Sequence, residues 1–147
     1  MTAPVFVDTN VLVYARDSAA GSKQPAALAW MDHLWQSRQG RLSFQVLSEF
    51  YVTVTTKLRP GMTPEIARRD VRALSAWRPV AVDNTVIQGA WLLQDRYGVS
   101  WWDALIVSAA QAADCEYLLS EDFQEGQEVG GIRVINPFKI TPSQLAQ

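Results

Sequence analysis

The sequence predicts an α/β domain built on a mostly parallel sheet, and three observations carry that expectation. Short apolar runs alternate with amphipathic segments of helical period along the chain. The runs are continuously apolar rather than alternating, as expected of strands buried on both faces. Acids follow two of them directly, at the strand ends where open α/β sheets bind ligands.

Composition bounds the rest. The 147 residues fit one domain, 1–147, and 48% apolar residues with six Trp supply a core for it. Lys and Arg total 13 against 15 Asp plus Glu, so a net charge of −2 offers no global attraction for nucleic acid. A nucleic-acid partner would need a local basic surface. Cys115 is the only cysteine, which excludes an intrachain disulfide, Cys-rich zinc spacing and a CxxC redox pair. It reads as a small buried apolar residue. No basic-then-apolar leader opens the chain, and no apolar run approaches the roughly 20 residues of a membrane span. The expectation is a soluble, cytoplasmic protein.

In chain order, Pro4 introduces Val5-Phe6-Val7 as a short buried strand, and Asp8 stands at its carboxyl end. Asp8 is placed to meet a ligand there, or Asp8 or Thr9 caps the helical segment Asn10 to Ala15. From Ser22 to about Gln39, Ala27, Leu28, Trp30, Met31, Leu34 and Trp35 recur at helical spacing, and Gly40 is the expected stop. His33 in that helix has no second His or Cys as co-ligand and reads as a surface or packing residue. Leu42-Ser43-Phe44 reads as a strand, and Gln45 to Leu58 as a helix ended by Arg59-Pro60-Gly61. Glu49 borders its apolar stripe, so it lies either on the polar boundary or in a site where a cation compensates its charge.

Thr63 and Pro64 start a helix that runs to about Trp77. Arg68, Arg69 and Arg72, with Lys57, Arg59 and Arg78 near by, form the densest basic region of the chain. It is a solvated helix face or a contact surface for a phosphate backbone. Val80-Ala81-Val82 reads as a strand, and Asp83 or Asn84 caps a helix that stops at Gly98; Asp95 at its exposed end is assigned no chemistry. Ser100 opens a helix whose body, Ala104 to Ala110, is apolar and small enough to be buried. Ser100 and Asp103 resemble a capping box, although that motif prefers Glu or Gln in the second position. Asp103 is also close to the expected sheet edge, so it is placed for both roles. Tyr117-Leu118-Leu119 is another buried strand, followed at once by Ser120, Glu121 and Asp122. There Ser120 could cap a short segment whose helix dipole the two acids favour. Gly126, Gly130 and Gly131 mark turns, Ile132 to Ile135 is the last strand, and the tail after Asn136-Pro137-Phe138 is expected to be loose.

Asp8, Glu49, Asp103 and Asp122 say more as a set than singly. Crowded carboxylates repel and raise one another's pKa, so such a cluster needs a cation or shared protons. Oxygen ligands without His or Cys select Mg²⁺ or Mn²⁺ over zinc, and those ions suit phosphate chemistry.

With VFVDTNVLVYA at the start, Ser48-Glu49-Phe50, Trp102-Asp103-Ala104-Leu105-Ile106 and Leu118-Leu119-Ser120-Glu121-Asp122-Phe123, the chain resembles PIN-domain ribonucleases. The nearest resemblance is to the VapC-type toxins of bacterial toxin–antitoxin pairs, and it covers nearly the whole chain. It implies a three-layer α/β/α domain around a central, mostly parallel sheet. It also implies that Asp8, Glu49, Asp103 and Asp122 form an acidic quartet holding Mg²⁺ or Mn²⁺, with Thr9 and Asn10 supporting it. Glu121 competes with Asp122 for the fourth place, and Asp122 aligns with the family's usual Asp before an aromatic residue. The implied activity is hydrolysis of RNA phosphodiester bonds by a metal-bound water, leaving a 5′-phosphate and a 3′-hydroxyl. Lys57, Arg59, Arg68, Arg69 and Arg72 are the candidate contacts for the RNA backbone. A homodimer and inhibition by a cognate antitoxin are implied as well.

Two other readings compete. A haloacid-dehalogenase-like phosphatase also ends its first strand in Asp but needs a second Asp two residues later, where this chain has Asn10. A catalytically silent scaffold binding RNA or protein would keep the fold and show no metal-dependent cleavage.

Overall fold

The computed structural model describes residues 3–145. Strands β1 (Val5–Val7), β2 (Gly40–Arg41), β3 (Tyr117–Leu119), β4 (Glu128–Val129) and β5 (Ile132–Ile135) form one sheet in the order β2-β1-β3-β5-β4. All neighbours are parallel except β4 and β5. Phe6, Val7, Leu118, Leu119 and Val134 are fully buried, which accounts for strands that read as continuous apolar runs.

The helices are α1 (Thr9–Arg16), α2 (Lys23–Ser37), α3 (Phe44–Val52), α4 (Pro64–Leu74), α5 (Asn84–Tyr97), α6 (Trp101–Ala112) and the short α7 (Pro142–Leu145). Local capping chemistry fixes several of their starts: Ser43, Thr63, Asp83 and Ser100 each accept the backbone N–H three residues on. Among the described residues, no helix is long and apolar enough to cross a membrane.

Four expectations need correction. Gly40 does not stop α2: Arg38 takes the left-handed position at φ 60°, and Gly40 lies in β2. A Cβ at Gly40 would come within 2.5 Å of the Trp77 ring, so glycine is there for close approach. The strand expected over Leu42 to Phe44 falls at Gly40–Arg41 instead, because the Ser43 hydroxyl already caps α3. Val80 makes a single bridge to Ser43 rather than a strand, since the other chain segment turns into a helix at once. The tail is anchored: Trp30 Nε1 donates to the Ile140 carbonyl at 2.9 Å, and the Phe138 ring meets Tyr14 edge-on at 5.2 Å.

Two details went unforeseen. The helix expected up to Leu58 relaxes into a π-helical turn over Thr53–Lys57. Strand β4 pairs with β5 through a two-residue turn, Gly130 and Gly131, with φ of 58° and 82°. A turn with two positive φ values matches the twist of so tight a hairpin.

Candidate active site

The sheet register brings the first and fourth acids together. Val7 pairs with Leu119 across β1 and β3, so the next residues, Asp8 and Ser120, are also neighbours. Asp8 is 6% exposed, and its carboxylate accepts from the Thr9 N–H at 2.7 Å and from the Ser120 hydroxyl at 2.8 Å. The same Ser120 oxygen accepts the Asp122 N–H at 3.1 Å, which ties the loop after β3 to the end of β1. Asp8 is thus a helix cap and a cleft residue at once; the two roles are not exclusive.

Burial pushes the Asp8 carboxyl up to about 7 from an ordinary value of 3.8. The hydrogen bonds from Ser120 and Thr9 oppose that rise, while the charges of Asp122 and Glu49 add to it. Asp103, half-buried in the first turn of α6, is raised by burial, lowered by the Ser100 side chain and raised again by Asp122. The charges of the acids thus reach one another in pairs, Asp122 with Asp8 and with Asp103, and Glu49 with Asp8.

Each acid arrives on its own element. Glu49 projects from α3, where Gln45 donates to one carboxylate oxygen at 2.7 Å and the Thr9 hydroxyl to the other at 3.3 Å. Asp103 makes only half of a capping box: Ser100 accepts its N–H at 3.2 Å, and among the described residues no bond returns from its carboxylate to the Ser100 N–H. Glu121 turns the other way, with both oxygens taken by the Tyr14 hydroxyl at 2.5 Å and Lys23 Nζ at 2.8 Å. The charge of Asp122, next along the chain, acts on Asp8 and Asp103.

Asn10 lies two residues after Asp8, and both polar atoms of its side chain are buried without a partner. Unmet buried polar atoms are costly and point to a missing partner. The donors around the cleft are carboxylate, hydroxyl and amide oxygens, a set that fits a hard divalent cation. Among the described residues, however, no three Asp, Glu, His or Cys side chains stand close enough together to hold an ion as they are placed.

The basic residues do not enter the cleft. Arg68 donates to the Tyr51 hydroxyl at 3.1 Å, and Arg59 to the Thr56 and Leu58 carbonyls. Lys57, Arg69 and Arg72 are exposed, and no ion pair joins any of the five to the acids among the described residues. His33 meets the Trp30 ring edge-on, as a packing residue would. Cys115 is buried, and burial pushes its thiol up to about 12.

Sequence reasoning missed the parts played by Gln45, Tyr14 and Lys23, and saw Ser120 only as a cap. For Ser120 a signal existed: it follows β3 as Asp8 follows β1, and parallel neighbours in register end side by side.

The family model for the PIN domain matches residues 5–124. No curated protein matches the chain. Among solved structures, one similar chain belongs to a toxin–antitoxin complex from Klebsiella pneumoniae, at 19% identity, covering 90% of this chain and 97% of that one with a TM-score of 0.65. A second is VapC20 of Mycobacterium tuberculosis, a sarcin-ricin loop cleaving toxin, at 20% identity over 88% and 98% with a TM-score of 0.63. A third is from VapBC2 of Rickettsia felis bound to a promoter DNA fragment, at 17% identity over 88% and 96% with a TM-score of 0.58. At these identities the likeness is one of fold.

Proposed function

The chain belongs to the PIN domain family, and from that premise we propose that it is a metal-dependent ribonuclease toxin, held in check in the cytoplasm by a cognate antitoxin. One observation carries the reading: Asp8, buried at the end of β1, accepts from the Ser120 hydroxyl and lies within reach of the charges of Asp122 and Glu49, and Asp103 lies within reach of that of Asp122. Burying a carboxylate among carboxylates costs free energy that a bound cation would offset.

Asp8, Glu49, Asp103 and Asp122 would hold Mg²⁺ or Mn²⁺, and Asn10 offers an amide oxygen beside them. When bound, such an ion lowers the pKa of a water and neutralises charge on phosphoryl oxygens. The chain's own part is placement. Ser120 fixes Asp8 and the Asp122 backbone, Thr9 and Gln45 fix Glu49, and Tyr14 with Lys23 keeps Glu121 out of the cleft. Lys57, Arg59, Arg68, Arg69 and Arg72 supply the local positive surface for the RNA backbone.

Trp91, Leu92 and Trp102 on α5 and α6 are 53%, 71% and 64% exposed. Large exposed apolar side chains on neighbouring helices support a protein partner, and we assign them to a homodimer contact. Two of the similar solved structures are of toxin–antitoxin pairs, which supports an antitoxin as a further partner.

The test is incubation of purified protein with structured RNAs in Mg²⁺, Mn²⁺ or EDTA, beside Asp103→Asn. Cleavage that needs metal and disappears in the variant is expected. Equal cleavage by the variant would show contamination and sink the assigned site. RNA binding without cleavage in any metal would favour a catalytically silent scaffold, the reading that the spread of the four carboxylates supports.

A further inference from the structure

A cavity of about 350 Å³ opens beside the edge strand β2, lined by Trp35, Arg38, Gly40, Arg41, Trp77 and Arg78. Three guanidinium groups line it and no carboxylate does. The ion pairs among the described residues are Arg16 with Asp70 and Lys23 with Glu121, so these arginines have no acidic partner there. Arg41 spends one nitrogen on the Arg38 and Gly40 carbonyls and keeps its charge uncompensated.

The backbone is arranged around this spot. Arg38 and Arg78 both sit in the left-handed region, at φ 60° and 56°, each just past a helical segment. Glycine is the usual residue there. The helix dipole accounts for positive charge at such an end, but not for keeping an arginine where glycine costs less. Strain retained in this way is a mark of functional positions. Gly40 lets the Trp77 ring rest on the β2 backbone, and Trp77 is 6% exposed. Trp35 packs on it at 5.1 Å with the planes at 57°, yet leaves 41% of its surface open.

We infer that this cavity binds one nucleotide of single-stranded RNA, the base lying on Trp35 and the phosphate among Arg38, Arg41 and Arg78. Guanidinium forks match phosphate oxygens, and an exposed indole stacks on any base. An acidic peptide would use the charges and leave the indole idle. Gly40 pairs with Val5, three residues before Asp8, so the cavity lies roughly 10 Å back along the strand direction from the acids. It would hold the strand at a distance from the bond to be cut. The inference rests on RNA being the substrate of the acidic cleft.

The test measures binding of a fluorescein-labelled single-stranded RNA 12-mer in EDTA, where no cleavage occurs. The proteins are the parent, Trp35→Ala, the double variant Arg38→Gln with Arg78→Gln, and Arg133→Gln as a charge control on the far side of the sheet. Thermal melts confirm that each is folded. Trp35→Ala is expected to bind about tenfold more weakly, as for removal of one stacked base. The double variant should lower the slope of log affinity against log salt by about 0.7, the value for the one phosphate that the cavity no longer neutralises. Arg133→Gln should bind like the parent. In a second measurement, RNA carrying 4-thiouridine is cross-linked by light and the attachment mapped. Cross-links at Trp35 support the site, and their absence overturns it. Parental affinity and salt slope in the variants overturn the cavity alone and leave the acidic cleft standing. A parent that binds no RNA overturns both. Displacement of the RNA by polyglutamate at equal charge concentration overturns the nucleotide assignment in favour of an acidic peptide.

Discussion

Asp8 is charged only at a cost, because burial holds its carboxyl near 7 while the unfolded chain would titrate near 3.8. The folded state therefore binds the extra proton between those two values, and stability falls as pH rises through that window. Below about pH 4 the penalty is absent; above about pH 7 it is complete. A shift of this size corresponds to a few kcal/mol, at roughly 1.4 kcal/mol per unit. Asp8→Asn removes the charge and keeps the shape. In EDTA the variant is expected to resist urea better than the parent at pH 8, with the gap closing towards pH 4. Equal stability at both pH values would contradict the burial account. Ser120→Ala acts in the opposite direction, since it removes both the donor to Asp8 and the acceptor of the Asp122 N–H. It should cost about 1–3 kcal/mol, as expected when buried polar groups are deprived of a partner, and more at pH 8 than at pH 4 because the charged Asp8 depends on that donor most. Urea unfolding of the variant at both pH values measures that difference.

At the scale of elements, what is legible in the sequence is what is decided locally. The starts of α4, α5 and α6 are readable because Thr63, Asp83 and Ser100 carry their caps within three residues. Strands β1, β3 and β5 are readable from apolar runs. The two-residue strands are not, because pairing with a neighbour makes them and no pattern of their own does. Gly40 shows the difference best: a glycine after a helical stripe reads as a stop, and here it is a strand residue pressed against Trp77. Gly40→Ala should destabilise the fold by about 1–3 kcal/mol, because ring atoms at 2.5 to 2.8 Å have no flexible end to swing aside. Its urea midpoint should fall without a change in slope; an unchanged midpoint would mean that β2 and Trp77 separate freely.

At the scale of the whole molecule, candidate acids can be named from the sequence, but how near they come to one another depends on the sheet order and on side chains far away in the chain. The proposed preference for Asp122 over Glu121 is the clearest case. It turns on Tyr14 and Lys23, which lie 107 and 98 residues from Glu121 and occupy both of its oxygens. No local pattern around Ser120 could show this. The same long-range assembly yields a test that needs no substrate. If the cleft holds a divalent ion, the ion binds the folded state alone and stabilises it by an amount set by concentration over Kd, about 2.7 kcal/mol at a hundredfold excess. For a chain of this length that corresponds to a rise in melting temperature of roughly 5–10 °C. The rise should be larger at pH 8 than at pH 5, because Asp8 must lose its proton before it can serve as a ligand. Asp8→Asn should melt at nearly the same temperature with and without Mn²⁺. An equal shift in parent and variant would place the ion elsewhere and remove Asp8 from the set of ligands.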